Sequence, residues 1–251
     1  MTGPGRRLFP GAPVESPVAD DGRMVTILLP AKNEAAGLRA TLDALPLAAL
    51  RAAGHEVEVV VADGHSTDTT RDIAAAWGAR VVVQDGRGKG MGVRSALPHL
   101  RGAIVVMLDA DGTYDAGAIP ALVRAVEEGH DAVLGSRFRG RIEAGAMSAT
   151  NRVGNRALSL LASALYGKRV TDVCTGMWAF RREALAGLPL TATHYELEVD
   201  LFAQSVRGGL RIAELPIAYG KRHGQSGLRS LRDGLAIART LLARRVARRP
   251  R

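Results

Sequence analysis

At 251 residues, with 47% hydrophobic and 24% charged residues, the chain has the length of one α/β domain plus a modest appendage. That composition excludes a disordered or collagen-like chain, and the longest run without Lys, Arg, Asp or Glu, the twelve residues Ala184 to Tyr195, excludes a membrane-spanning helix, which needs roughly 18 to 20. The net charge of +9 is concentrated: from Leu228 to Arg251 eight Arg (229, 232, 239, 244, 245, 248, 249, 251) meet only Asp233, a local +7, which is the pattern of a basic tail seeking an anionic partner and not of a generic nucleic-acid binder.

Residues 1–22 hold four Pro and no hydrophobic periodicity, and are expected to form a flexible leader without the apolar segment of a secretion signal. With a single Cys174 and no internal disulfide to make, the expected location is the cytoplasm. Met24 to Pro30 is a branched apolar run stopped by Pro and predicts a buried strand. A helix is predicted over 34–53, then a strand over Val57 to Ala62 that ends at Asp63-Gly64. Ser66-Thr67-Asp68 supply N-cap chemistry for a helix running to Trp77. Strand Arg80 to Val83 enters the glycine-rich Asp85 to Gly90, a helix follows over 91–100, and strand Ala103 to Leu108 runs into Asp109-Ala110-Asp111. Beyond it come a helix over 116–128, strand Ala132 to Leu134, a basic loop to Arg141, a helix from Ala157 to Tyr166, a helix over 196–207 and strand Leu210 to Pro216. Leu228, Leu231, Leu235, Ala238, Leu242 and Val246 recur at helical spacing among the arginines, predicting a basic amphipathic helix over 228–251 suited to an anionic membrane surface or to packing on the domain.

Strands alternating with helices over the first 110 residues predict a doubly wound, mostly parallel sheet, filling a domain over 23–227. Ligands on such sheets bind beyond the carboxyl ends of the strands. Asn33-Glu34, Asp63, Arg87 to Lys89 and Asp109/Asp111 all fall there. Two carboxylates two residues apart at a strand end can address one hard divalent cation, which keeps several waters and bridges diphosphate oxygens.

Pro30-Ala31-Lys32-Asn33-Glu34, Val61 to Thr70, Gly88-Lys89-Gly90, Asp109-Ala110-Asp111-Gly112-Thr113 and Gly135-Ser136-Arg137 resemble, in order and spacing, the inverting family 2 glycosyltransferases of GT-A fold. The likeness runs from about residue 24 to 228, through Thr175 to Arg182 and Glu214 to Ser226, and within the family is greatest to the dolichyl- or polyprenyl-phosphate sugar synthases. The resemblance implies a nucleoside pocket formed by Pro30, Asn33, Glu34 and Asp63, and Lys89 beside the donor diphosphate. It further implies that Asp109, Ala110 and Asp111 form the nucleotide and metal segment, with Asp111 the principal ligand of Mg²⁺ or Mn²⁺. His223 is an alternative third ligand, because Thr113 stands where Gln is frequent in polyprenyl-phosphate mannose synthases. Arg137 and Arg222 match positions that clamp an acceptor phosphate, for which a planar guanidinium is well shaped.

The expected reaction moves a hexose from GDP-mannose or a UDP-hexose to a polyprenyl phosphate, with inversion. A phosphate acceptor is already ionised near neutrality and needs positioning more than a base. The alternative is a soluble hydroxyl acceptor such as a phosphoglycerate or a natural-product scaffold, which requires a base, with Asp172, Glu196 and Glu198 available. A sugar-1-phosphate nucleotidyltransferase would place its glycine-rich signature directly after the first strand, where this chain has Pro30 to Glu34. Few aromatics (4%) disfavour a nucleic-acid-binding module. The partners expected are a nucleotide-sugar donor, a polyprenyl-phosphate acceptor and the inner face of an anionic membrane.

Overall fold

The computed structural model describes residues 23–224 and 230–246. The leader over 1–22 and, in the tail, Leu228, Arg229, Arg248, Arg249 and Arg251 lie outside the described residues. Seven strands form one sheet: β1 (Met24–Ala31), β2 (Glu56–Asp63), β3 (Arg80–Val83), β4 (Ile104–Met107), β5 (Ala132–Ile142), β6 (Trp178–Arg181) and β7 (Ile212–Tyr219), in the order β3-β2-β1-β4-β6-β5-β7. Every neighbouring pair is parallel except those made by β6, which runs antiparallel between β4 and β5. The predicted mostly parallel, doubly wound sheet is therefore present.

Alternate residues of the central strands feed two cores. Val25, Ile27 and Leu29 of β1 and Val59 and Val61 of β2 join one. On that face pack α1 (Ala35–Asp43), α2 (Leu47–Ala52), α3 (Thr70–Trp77) and α5 (Ile119–Glu127), through residues such as Leu38, Leu50, Ala74 and Leu122. Leu28, Val60 and Ala62 point to the other core, covered by α4 (Lys89–Ala96), α6 (Ala149–Tyr166), α8 (Leu197–Arg207) and α9 (Ser230–Val246), through Val93, Ala162, Phe202 and Leu241. A five-residue helix, α7 (Arg182–Ala186), follows β6. Burial on both faces explains why β1 and β2 read as nearly continuous apolar runs, interrupted near their amino ends by Thr26 and Glu58.

The structure departs from the sequence expectations at several points. The single helix over 34–53 is two helices, because Pro46 lacks an amide donor and takes the N-cap position of α2. The helix expected over 91–100 starts at Lys89 and ends at Ala96, with a tight 3₁₀ turn at Leu97–His99 around Pro98. The helix expected to begin at Ala157 starts at Ala149, where the Ser148 side chain caps the Asn151 amide (3.2 Å). The basic loop leading to Arg141 is the outer half of β5, paired with β7 after a register shift between Ser136 and Arg141. β6 is absent from the sequence expectations; its four residues carry Trp178 and Phe180 to one face and Ala179 to the other. Asp68 supplies the expected N-terminal contact of α3, its Oδ1 accepting the Thr70 amide (3.0 Å), and the same segment also reaches α1: Ser66 Oγ accepts the Asn33 amide (2.9 Å), Thr70 Oγ1 the Glu34 amide (2.9 Å) and Asp68 Oδ2 the Ala35 amide (3.2 Å). The loop after β2 thus satisfies the open amides at the start of α1 and fixes the segment that carries Asn33 and Glu34.

Candidate active site

The carboxyl ends of β1, β2, β4 and β7 converge on one edge of the sheet, and the titratable residues singled out from the sequence collect there. Asp111, almost wholly buried, accepts from the Thr113 amide (3.0 Å) and hydroxyl (2.6 Å) through Oδ1 and from Arg222 Nη1 (2.5 Å) through Oδ2. Arg222 reaches back with Nη2 to Glu34 Oε1, bonding residues from the start and the end of the fold. Asp109 pairs with Lys89, the first residue of α4, which also pairs with Glu198 on α8. Gly176 lies so close to Asp109 that a Cβ there would sit 2.6 Å from Oδ2, and Gly37 approaches the Asp111 backbone as closely (2.8 Å).

Four carboxylates, Glu34, Asp109, Asp111 and Glu198, therefore share two cations, Lys89 and Arg222. Three of these acids are raised, chiefly by their burial. Burial raises Glu34 to about 7, with Arg222 pulling it back and Asp111 and Asp109 adding to the rise. Asp111 is raised by burial and by the neighbouring Asp109, against the opposing effects of Thr113 and Arg222. Glu198 is raised by its burial, with Lys89 only partly offsetting it. Lys89 would be depressed by burial, yet Asp109 and Glu198 hold it well above its usual value.

His223 joins this group by its backbone, donating its amide to the Asp111 carbonyl (3.0 Å). Its ring lies along Gly112, where a Cβ would fall 2.5 Å from Cδ2, and Gly112 also has φ +77. Only glycine fits there on both counts. Among the described residues no three His, Cys, Asp or Glu side chains are gathered into a ready-made metal cluster. The expected set of Asp109, Asp111 and His223 is accordingly not assembled as three converging ligands; Lys89 and Arg222 hold the two carboxylates instead.

Arg137 and Arg222, expected as a joint clamp, have separate partners. Arg137 is buried and grips Asp172 through Nε (2.7 Å), Nη2 (2.7 Å) and its own amide (2.9 Å). Its guanidinium lies over the Tyr219 ring, 5.2 Å from the centroid. Tyr219 in turn packs edge-on against Tyr114, whose hydroxyl accepts the Gly176 amide (2.6 Å). Asp172, offered as a base, thus spends both oxygens on Arg137. Glu196, another candidate base, accepts the Thr193 (2.9 Å) and His194 (3.1 Å) amides; burial would raise it, but these bonds hold it below the usual carboxylate range. Sequence reasoning misses the roles of Tyr114, which follows the Asp109 to Thr113 motif, and of Tyr219, which lies within the quoted Glu214 to Ser226 segment, since neither ring announces its partner in the sequence.

On the β1–β2–β3 side a cavity of about 550 Å³ is lined by Lys32, Asn33, Gly64, His65, Thr67, Gly86 and Arg87. Asn33 (φ 54) and His65 (φ 59) are the described non-glycine residues with positive φ, and both line it. Such backbone strain concentrates at functional positions. Asp63 lies fully buried, accepting the Ser66 amide (3.1 Å), while Pro30 and Ala110 are buried strand-end residues; of the four expected nucleoside contacts only Asn33 faces this cavity.

The sequence profile described as Glycosyl transferase family 2 matches residues 26–188, more than half the chain. The chain belongs to that family. Within family 2 it is similar to glycosyltransferase AglJ of Haloferax volcanii, with 37% identity over 195 residues that cover 76% of this chain and 64% of the relative. The dolichyl-phosphate hexose transferase of the same organism is 37% identical over 185 residues, covering 74% and 79%. The crystal structure of glucosyl-3-phosphoglycerate synthase from Mycobacterium tuberculosis, in complex with Mn²⁺, UDP and glucosyl-3-phosphoglycerate, superposes with a TM-score of 0.68 at 31% identity, covering 89% of this chain and 78% of that one. The family 2 chain thus has the GT-A architecture of its neighbours, and spans slightly less than two thirds of the length of AglJ.

Proposed function

We propose that the chain transfers a hexose from a nucleotide-diphosphate sugar to a polyprenyl phosphate, with inversion at the anomeric carbon. The observation that carries this reading is the surplus of carboxylate at the strand ends, four acids against Lys89 and Arg222. Hard oxygen donors in excess of their cations fit a divalent ion, Mg²⁺ or Mn²⁺, which takes one or two carboxylates and completes its shell with water and substrate phosphate. Asp109 and Asp111 would hold it, and it would supply positive charge to the departing diphosphate. Lys89 stands at the N-terminus of α4, where backbone amides also favour phosphate. On donor binding Lys89 and Arg222 exchange carboxylate partners for diphosphate oxygens, and Asn33 and the neighbouring cavity receive the nucleoside side. The joint presence of Mn²⁺ and UDP in the glucosyl-3-phosphoglycerate synthase complex supports this placement by analogy.

A phosphate acceptor fits the other half of the site. Asp172 and Glu196 are engaged by Arg137 and by backbone amides, so of the three acids offered to a hydroxyl acceptor only Glu198, released by Lys89 on donor binding, is left as a base. An ionised phosphate needs none. The similarity to a dolichyl-phosphate hexose transferase supports the same acceptor class. The pair Arg137–Asp172 then places a buried guanidinium beside the acceptor, with Asp172 as its holder in place of a base. A soluble phosphoglycerate-type acceptor is the second reading, favoured by the likeness to glucosyl-3-phosphoglycerate synthase and by the position of His223 against Gly112. No described helix is long and apolar enough to cross a membrane, so a lipid acceptor would be met from the surface.

The deciding experiment incubates the protein with radiolabelled GDP-mannose, UDP-glucose or UDP-N-acetylglucosamine, with Mn²⁺ or Mg²⁺. A short-chain polyprenyl phosphate and 3-phosphoglycerate are supplied in parallel. Label in the organic phase, lost with EDTA, is the expected result. Label confined to 3-phosphoglycerate would overturn the lipid acceptor, and no transfer from any donor would overturn the reading.

A further inference from the structure

The helix α6 turns an aliphatic stripe toward solvent although the core lies directly beneath it. Ser159 and Ala162 are buried, whereas Val153 is 68% and Leu160 72% exposed, with Ala149, Ala157 and Ala164 exposed on the same side at helical spacing. Two large aliphatics so open on one helix face, with no charge between them but Arg156, are not explained by folding. The adjacent α9 repeats the pattern: Ile237 and Leu241 are buried while Leu235 (69%), Leu242 (50%) and Val246 (82%) face solvent. The two helices are fastened together by Tyr166, whose hydroxyl donates to the Leu241 carbonyl (2.8 Å), and by Arg245, whose Nε donates to the Leu165 carbonyl (2.7 Å).

The charge around the stripe is predominantly positive, with Asp233 in the first turn of α9 the one acid on the two helices. From Ala144 to Thr171 the chain contains Arg152, Arg156, Lys168 and Arg169 and no acid. Arg239 and Arg245 add exposed cations on α9. Aliphatic side chains rimmed by arginine and lysine match an acyl surface with anionic headgroups, whereas a second copy of the same face would bring like charges together. The place in the fold agrees. Ser159 on the inner face of α6 accepts the Val173 amide (3.0 Å), and the neighbouring Asp172 holds Arg137, so α6 packs beside the loop that carries the half of the site assigned to the acceptor.

We propose that the outer face of α6, together with that of α9, docks the protein on an anionic lipid bilayer and presents the acceptor half of the site to it. This rests on the lipid-phosphate acceptor proposed above only for its purpose; the docking itself is independent of the chemistry. The test uses the full chain with extruded vesicles of phosphatidylcholine containing 30 mol% phosphatidylglycerol, about that fraction being enough to give a clearly negative surface. Wild type is expected to cosediment with these vesicles and to be released by high salt. The double substitution Val153→Asp and Leu160→Asp, at positions too exposed to disturb the core, is expected to weaken partitioning at least about tenfold while leaving Tm unchanged. Arg152→Glu with Arg156→Glu is expected to act in the same direction.

Unchanged cosedimentation of the α6 variants, or no binding by wild type, would overturn the proposal. So would a wild-type dimer that the aspartate substitutions split to monomers without altering vesicle binding. The transfer assay with a water-dispersed short-chain acceptor separates the two proposals. Docking lost with transfer retained supports the surface, and docking retained in a protein that transfers nothing overturns the acceptor reading while the surface stands.

Discussion

The two ends of the sheet handle buried charge in opposite ways. Near the amino end of β2 the buried acid Glu58 is surrounded by donors: Thr26 Oγ1 (2.5 Å), the Arg101 amide (2.7 Å) and Nε (3.0 Å), and Arg80 Nη2 (3.0 Å). Burial would raise it, yet these hydrogen bonds and the Arg80 charge hold it below the usual carboxylate range. At the carboxyl ends four acids share two cations, and Glu34, Asp111 and Glu198 are all raised, chiefly by burial. One end is satisfied by the chain itself and serves the fold. The other is left short of positive charge, a cost to stability that makes sense where a ligand supplies the balance.

Asp111→Ala sharpens the contrast most. Transfer should fall by about three orders of magnitude or more, the scale expected when a group aimed at developing charge is lost. Tm should hold or rise, because the lost carboxylate is one whose charged form burial and Asp109 disfavour; a large fall in Tm would make Asp111 a structural residue. Arg137→Ala is next. It leaves Asp172 buried and unpaired, so a loss of about 3–5 kcal/mol in unfolding free energy is expected. Denaturant titration measures it, and a loss below about 1 kcal/mol would mean that the pair is not closed in solution.

At the amino ends, Glu58→Gln should cost about 1–3 kcal/mol at pH 7. The sign with pH follows from the lowered pKa: the stabilisation by Glu58 is present above its unfolded pKa and is lost as pH falls through the lower folded value. Acid titration of Tm should therefore show a smaller drop below the ordinary carboxylate range in Glu58→Gln than in wild type. Equal drops would mean that Glu58 is not paired as described. Smallest of all is Arg39→Ala, which opens an exposed pair with Asp43 one helical turn away and should leave Tm where it is.

The parts of the fold that were legible in the sequence share a cause. β1 to β4 are apolar runs closed by Pro30, by Asp63-Gly64, by the glycine-rich segment from Asp85 and by Asp109, so periodicity and punctuation agree. β6 has neither: its four residues run straight into a helix that starts at Arg182, and their pairing partners are far away in sequence. The break at Pro46 was legible from its chemistry but hidden by the Ala- and Leu-rich spacing on both sides. In the site, Asp109, Asp111, Lys89, Glu34 and Arg222 could be named from motifs. Their partners could not, because Glu34 and Arg222 are 188 residues apart and Lys89 and Glu198 are 109 apart, and only the sheet order brings them together. The buried embrace of Arg137 by Asp172 likewise depends on β5 passing beside the loop before β6, which no local pattern announces.

The most direct test of the carboxylate surplus is calorimetric titration of the full chain with a nucleoside diphosphate, UDP or GDP, in the presence and absence of Mn²⁺. Wild type and Asp111→Asn are compared. Binding that requires the ion, at least about tenfold tighter with Mn²⁺ than without, and that loses this dependence in Asp111→Asn, is the predicted result. Equal affinity with and without Mn²⁺ in both proteins would contradict it.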